Sequence, residues 1–215
     1  MAYDPVHPPV TYFVTDTEFD GPDPAKNSLL SFASYAVRAD AGVLDPFSTD
    51  LAPRPDRAPD PDTTQWWRGQ PAAYQRATDH PVDPKEAMAR YAAWLETFAG
   101  VRVFAAQPLL IDGPWIDRYL KDFLGLSLIA WPSQERVLFH GGGLDISTAI
   151  EALYGWPYGR GYRLTDYPAD WTQGPEDAPH TAANDALISA RLLLRALRVS
   201  RAQPRKPDDF RGLNP

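Results

Sequence analysis

The sequence of 215 residues contains no cysteine, no excess of basic residues and no apolar run of about 18 residues. Without cysteine, the chain has neither disulfide bonds nor thiolate metal sites. Without the apolar run, we expect no membrane-spanning helix and no membrane partner. The net charge of −7 argues against a broad cationic face that would hold duplex nucleic acid. The first residues have neither the basic nor the apolar segment of a signal peptide, and we expect a cytoplasmic protein.

The chain is instead rich in apolar residues and in proline. Hydrophobic residues make up 44% of it, which at this length is enough for one sizeable core, so we expect a single domain over 1–215. The 23 prolines cluster notably at 51–62 and 155–179, and we expect loops in both places.

Strand patterns come first along the chain and then alternate with helix signals. The predicted strands are 12–15, 29–37, 42–51, 101–105 and 136–139, with the first three in an antiparallel meander. The predicted helices start near 64 and then cover 85–99, 112–123, 144–154 and 182–199, with Asp62 or Thr63 as the cap of the first. This order predicts an α/β fold with a mixed central sheet flanked by helices. The first strand should be central, because its apolar residues need cover on both faces.

Two acids, Asp16 and Glu18, lie two residues apart at the end of the first predicted strand. Residues at this spacing point to the same face of a strand, so the two carboxylates would lie side by side. Like charges repel at that distance unless a cation lies between them, and a hard divalent ion with oxygen ligands is the natural occupant. A solvated surface pair is the alternative, although the apolar residues that precede Asp16 favour a buried strand.

Another acid, Asp112, follows the strand 101–105 at a predicted helix start. Taken alone it could be a plain helix cap. Asp117 is a competing acid further along the same helix, and we interpret it as a surface charge.

The last chemical group is His180 and Asp185, at the start of the final predicted helix. In a continuous helix, residues five apart point about 140° away from each other. The two side chains can converge if His180 lies in a non-helical lead-in and Thr181 caps the helix, so that Asp185 points out of the first turn.

Together these residues resemble the motifs of the DEDDh 3′-5′ exonucleases, the DnaQ-like group on the ribonuclease H-like fold. Asp16-Thr17-Glu18 matches the first motif, Asp112 the second, and His180 through Ala186 the third. The resemblance covers a catalytic core of about 10–200 and leaves a basic C-terminal tail of about 200–215. Where family members often carry His-Asn before the second motif, this chain has Ala106-Gln107.

The resemblance implies a site with two divalent ions, Mg²⁺ or Mn²⁺. It implies that Asp16 bridges the two ions and that Glu18 and Asp185 complete the site of the ion that activates water. It implies that Asp112 holds the second ion and that His180 is the general base. An imidazole suits that role because it titrates near neutral pH.

Two aromatic residues near these acids are candidate substrate contacts. Phe19 could stack on a terminal base, a contact worth about 1–3 kcal/mol, or could be a core residue. Trp115 lies one turn from Asp112. Trp66 and Trp67 are more typical of a core, although this pair before a helix resembles a branch of small bacterial and phage exoribonucleases.

The implied function is a metal-dependent 3′-5′ exonuclease that releases nucleoside monophosphates from single-stranded nucleic acid or 3′ overhangs. The Trp66-Trp67 resemblance favours RNA over DNA. The alternatives are an inactive nucleic-acid-binding or scaffold protein on the same fold, and a phosphodiesterase of short oligonucleotides. Seven C-terminal basic residues could contact a nucleic acid backbone or the second subunit of a homodimer, or could form a solvated face: Arg191, Arg195, Arg198, Arg201, Arg205, Lys206 and Arg211.

Overall fold

The computed structural model describes residues 8–161, 163–172 and 180–202, and within them the chain forms six strands and seven α-helices. The strands are β1 (Val10–Phe19), β2 (Leu29–Arg38), β3 (Gly42–Leu51), β4 (Pro81–Val82), β5 (Val101–Ala106) and β6 (Leu144–Asp145). The helices are α1 (Pro61–Arg68), α2 (Pro71–Ala77), α3 (Pro84–Glu96), α4 (Leu109–Leu124), α5 (Ile146–Tyr154), α6 (Ala169–Thr172) and α7 (Ala182–Ala202). No helix in these ranges is long and apolar enough to cross a membrane.

The strands form one mixed sheet in the order β4-β3-β2-β1-β5-β6. β1, β2 and β3 make the predicted antiparallel meander, whereas β5 pairs with β1 in parallel. β1 therefore lies inside the sheet, which confirms its predicted central position. It is also longer than the predicted 12–15, so that Asp16 and Glu18 belong to the strand itself.

The two faces of β1 contact different helices. Phe13 packs in a core cluster that includes residues of α3 and α4, such as Leu95 and Ile116. Val14 packs in a second cluster with residues of α5 and α7, such as Leu193. Strand alternation thus places the even-numbered residues of β1, including both acids, on the face that α7 covers.

Three alanines bring the start of α7 close to this face. Ala33 of β2 lies opposite Asp16 in the sheet, and it forms a small buried cluster with Ala182 and Ala186 of α7. Because an alanine side chain is only a methyl group, the strand and the helix can pack closely together. The first turn of α7 therefore reaches the sheet next to the two acids of β1.

A bulge near the end of the β1–β2 ladder attaches a helical hairpin to the sheet. The register shifts between Glu18, which pairs with Ser31, and Phe19, which pairs with Leu29. Leu30 is the extra residue, and it packs with residues of α1 and α2 in a cluster that contains Trp67. The bulge thus fixes α1 and α2 beside the end of β1.

Several predicted elements differ from the structure. α1 begins at Pro61 rather than near 64, because Asp60 and not Asp62 or Thr63 caps it by accepting from the Thr63 amide at 2.8 Å. α2 and β4 were not predicted. The residues 136–139 do not form a strand, because the Arg102 guanidinium, rather than a strand ladder, bonds the carbonyls of Val137 and Leu138.

The remaining differences lie near the loops and the C-terminus. The predicted helix 144–154 begins only at Ile146, since Asp145 caps it and its first two residues pair with β5 as β6. The predicted loop 155–179 contains α6 and a short 3₁₀ turn, Leu164–Asp166. α7 runs to Ala202, beyond the predicted end, and most of the predicted basic tail lies outside the described residues.

Candidate active site

Three carboxylates converge where the end of β1 meets the start of α7. Each of Asp16, Glu18 and Asp185 offers an oxygen, and these oxygens all lie within 4.8 Å of one another. Two come from one face of a strand, and the third comes from a helix about 170 residues further along the chain. The structure therefore brings together the first and third predicted motifs.

The start of α7 is built as the spacing of His180 and Asp185 requires. His180 lies outside the helix in the left-handed region, with φ of 58°, a conformation that few residues other than glycine adopt. The Thr181 carbonyl accepts a hydrogen bond from the Asp185 amide at 3.0 Å, which places Asp185 in the first turn. The backbone amide of His180 also hydrogen-bonds to the Asp185 carboxylate.

The fourth acid, Asp112, approaches from the other side of β1. It lies in the first turn of α4, after Pro108, and is 3% exposed, so it is not a solvated helix cap. One oxygen of Asp112 accepts from the Thr17 amide at 3.0 Å and from the Thr17 hydroxyl at 2.7 Å. Thr17 thus links the acid of α4 to the strand that carries Asp16 and Glu18.

Asp117, the competing acid on α4, serves the following loop instead. Its carboxylate accepts from the Ser127 hydroxyl and the Leu128 amide, both at 2.9 Å, and pairs with Lys121. It is therefore engaged outside the acid cluster.

Burial raises the pKa of all four clustered carboxyl groups, and repulsion among the acids adds to the shift of Asp16, Glu18 and Asp112. Burial raises the pKa of Asp16 well above 3.8, and the charges of the other three acids add to this shift. Burial, together with the charges of Asp185 and Asp112, raises the pKa of Glu18 from 4.5 to about 8. Burial raises the pKa of Asp112 from 3.8 to about 7, although the hydrogen bonds from Thr17 oppose the shift. Burial also raises the pKa of Asp185.

The donor set fits a hard divalent cation. The three converging groups are carboxylates, and oxygen donors of this kind are the preferred ligands of Mg²⁺ and Mn²⁺. A positive ion would also remove the repulsion that raises the pKa values. Asp112 still has an oxygen that does not bond to Thr17.

An aromatic pocket opens beside Glu18. It measures about 370 Å³ and is lined by Glu18, Phe19, Asp62, Thr63, Trp66 and Trp67. Trp66 is 44% exposed, and its ring meets the His180 imidazole edge to face at 5.1 Å. Trp67 is buried and donates its indole N–H to the Phe19 carbonyl at 2.9 Å. The pocket therefore contains one acid of the cluster and three aromatic side chains, one of which contacts the His180 imidazole.

The predicted substrate contact at Trp115 is wrong. Trp115 is 2% exposed and packs in the hydrophobic cluster between α4, α3 and the sheet, so no substrate can reach it. The Phe19 ring stacks on it with centroids 5.0 Å apart and covers it. Phe19 itself is only partly buried: it packs against the core and also lines the pocket.

Two residues of the site were missed by sequence reasoning. Thr17 stands between the two acids of β1, and its alternation to the opposite face could have suggested a contact with the helix after β5. Trp66 was interpreted as a core residue together with its neighbour. A helix that starts at Pro61 places the two indoles about 100° apart around its axis, which could have indicated different environments.

Comparison with solved structures shows the class of fold. The chain matches exonuclease I of E. coli, in a zinc-bound complex with single-stranded DNA, with a TM-score of 0.63 and 18% identity over 92% of this chain and 42% of that chain. It matches the nuclease domain of 3′hExo, a DEDDh family member bound to rAMP, with a TM-score of 0.63 and 11% identity over 91% and 94% of the two chains.

A 3′-exonuclease with 3′-end specific recognition of a histone mRNA stem-loop also matches, with a TM-score of 0.62 and 10% identity over 92% and 84% of the two chains. These likenesses confirm the predicted α/β, ribonuclease H-like fold of the DEDDh exonucleases. The chain spans less than half the length of the exonuclease I chain. No family model and no curated protein sequence matches it.

We predict that the acid cluster makes the metal-free protein less stable as pH rises. The pKa of Glu18 is about 8 in the folded chain and 4.5 when unperturbed, so the folded state binds its proton more tightly than the unfolded state does. The contribution of Glu18 to the free energy of unfolding is fully present below about pH 4.5 and is lost as the pH rises to about 8. Glu18→Gln should therefore raise the melting temperature in EDTA on the order of 5 °C at pH 8, and much less at pH 5. An equal gain at both pH values in thermal melts would contradict the electrostatic cause.

We predict that Thr17 orients Asp112 for metal binding. Thr17→Val keeps the shape and the backbone amide but removes the hydroxyl that bonds Asp112. Its affinity for Mn²⁺, measured by calorimetry, should fall on the order of 10-fold to 100-fold, as is usual for groups that orient ligands. Thr11→Val, at the other end of β1, is the matched control. Equal Mn²⁺ affinities in the two variants would show that the Thr17 hydroxyl has no role in metal binding.

Proposed function

We propose that the chain is a metal-dependent 3′-5′ exonuclease with a catalytic core of about 10–200, which releases nucleoside monophosphates from single-stranded nucleic acid or 3′ overhangs. The convergence of Asp16, Glu18 and Asp185 within 4.8 Å, in a surrounding that raises their pKa values, supports this most strongly. Such a concentration of buried acids lowers stability and is typical of catalytic sites.

In this proposal the four acids hold two divalent ions, Mg²⁺ or Mn²⁺. Glu18 and Asp185 would hold one ion, Asp112 would hold the other, and Asp16 would serve both. When bound, the ions would lower the pKa of water and stabilise the leaving 3′-oxygen. The protein contributes the fixed positions of the carboxylates, since β1 and the first turns of α4 and α7 hold them.

His180 is the general base in this proposal. Its exposed side chain lies next to Asp185 and can accept the proton of the attacking water at a ring nitrogen. The left-handed backbone at His180 and the edge contact with Trp66 fix the position of the imidazole. The ring can pass the proton to solvent because one side of it stays open.

The aromatic pocket takes the terminal nucleotide. Phe19 and Trp66 offer ring surfaces on which a base can stack, and Glu18 places the acid cluster at the same pocket. Its small volume suits one nucleotide rather than a groove along a duplex. Cleavage should therefore start at a free 3′ end.

RNA is the favoured polymer because of the Trp66-Trp67 pair, whereas the matched proteins include one in complex with single-stranded DNA and one that recognises an RNA stem-loop. A phosphodiesterase of short oligonucleotides is the second candidate, and the confined pocket together with the net charge of −7 favours it. An inactive scaffold fits less well, because it has no need for four clustered acids and an imidazole.

The direct test is to incubate end-labelled single-stranded RNA and DNA with the protein, in Mg²⁺ or in EDTA. We expect mononucleotides in Mg²⁺, no products in EDTA, and near-complete loss of activity in Asp16→Ala. Glu135→Ala removes an exposed acid far from the cluster and is the matched control. A 3′-phosphate should block cleavage by adding charge where the terminal hydroxyl belongs, and circular strands should survive. Cleavage of a circular strand at a comparable rate would indicate an endonuclease.

His180→Ala should lower kcat on the order of 10²-fold to 10⁴-fold, with little change in substrate affinity, because only the proton transfer is lost. His180→Asn should do no better, since an amide does not accept the proton. His80→Ala is the control, because His80 is a highly exposed surface histidine. A His180→Ala enzyme within about threefold of wild type would reassign the general base.

A further inference from the structure

A cationic and aromatic groove runs along α7, outside the pocket described above. It measures about 520 Å³ and is formed by one exposed face of α7 together with Asp170 and Trp171 of α6. Its arginines are Arg191, Arg195 and Arg198. Three arginines lie within two helical turns on a chain whose net charge is −7, and one of them, Arg195, also pairs with Asp170 at 4.0 Å.

One arginine of the groove lies over an indole ring, and a neighbouring arginine outside the groove lies over a second indole. The Arg195 guanidinium lies 4.4 Å from the centre of the Trp171 ring. Trp171 stacks on Trp156 with centroids 6.0 Å apart, and the Arg160 guanidinium lies 4.5 Å from the Trp156 ring. Interleaved arginines and aromatic rings are typical of surfaces that hold single-stranded nucleic acid through its phosphates and bases.

The groove is in line with the acid cluster. Asn184, Arg191, Arg195 and Arg198 follow one another at spacings of seven, four and three residues, which places them on one stripe of α7. The stripe begins beside the site, because the Asn184 amide donates to the Asp185 carboxylate at 3.2 Å. Thirteen residues of helix separate Asp185 from Arg198, which corresponds to about 20 Å.

We propose that this groove binds the part of a single strand that lies upstream of the terminal nucleotide, an inference that rests on the proposed exonuclease function. Phosphates in a stacked strand follow one another at about 3.4 Å, and an extended strand covers the distance with fewer residues. A strand that starts in the aromatic pocket therefore reaches Arg198 with roughly its fourth to seventh nucleotide. The groove makes long single strands better substrates than dinucleotides.

The test compares substrates of two lengths in Arg195→Gln/Arg198→Gln. We expect kcat/KM for a strand of about 12 nucleotides to fall on the order of tenfold relative to kcat/KM for a dinucleotide. Lys85→Gln/Arg90→Gln removes the same charge from α3, on the opposite side of the sheet, and should leave the ratio unchanged. Arg195→Lys/Arg198→Lys keeps the charge and should retain most of the preference for length.

Binding without cleavage separates this inference from the proposed function. In an Asp16→Ala background with EDTA, anisotropy should measure binding of the long strand at several salt concentrations. In Arg195→Gln/Arg198→Gln the slope of log K against log[salt] should become shallower by about 1.4, since two phosphate contacts are lost. If the wild type cleaves neither substrate, the proposed function fails, and this measurement still tests the groove.

Equal binding of the long strand by the variant and by its α3 control would overturn the inference. A dimer that becomes a monomer in Arg195→Gln/Arg198→Gln, with unchanged binding of the strand, would overturn it too and would assign the groove to a second copy of the chain.

Discussion

The clustering of four carboxyl groups at the end of β1 is the constraint on which the rest of the structure depends. Because the pKa values of these groups are raised, ionising them at neutral pH costs the metal-free folded chain free energy. Two apolar clusters, one on each face of the sheet, provide the opposing stability. The acids lie at the end of the strand that both clusters hold in place. A site of this kind needs a rigid base, because a loop would move its carboxylates apart.

The parts of the site that follow from local geometry could be predicted. Strand alternation alone places Asp16 and Glu18 on one face. The start of a helix brings the side chain of His180, before the helix, close to that of Asp185 in its first turn. What could not be predicted is how close β1 and α7 come. That distance depends on Ala33, together with alanines of α7 about 150 residues away, and small side chains carry no local signal of their partner.

The aromatic residues show a different limit of sequence reasoning. Trp66 and Trp67 are neighbours, yet Trp66 is 44% exposed and Trp67 is 5% exposed. Trp115 is close to Asp112 in sequence but points into the core, because α4 turns that face toward α3 and the sheet. Aromatic side chains serve both cores and binding surfaces equally well, so that only the direction of each helix face decides which role applies.

The bulge at Leu30 separates the part of the sheet that positions the acids from the helices that line the aromatic pocket. The acids depend on the regular ladder between β1 and β2, which is complete by the pair of Glu18 and Ser31. The helices that supply Trp66 are attached only beyond that point, through the one residue that is left out of register. Insertions and substitutions in the segment 52–82 can therefore reshape the aromatic pocket without shifting the carboxylates. In evolutionary terms, the lining of the pocket can change while the acid cluster stays fixed.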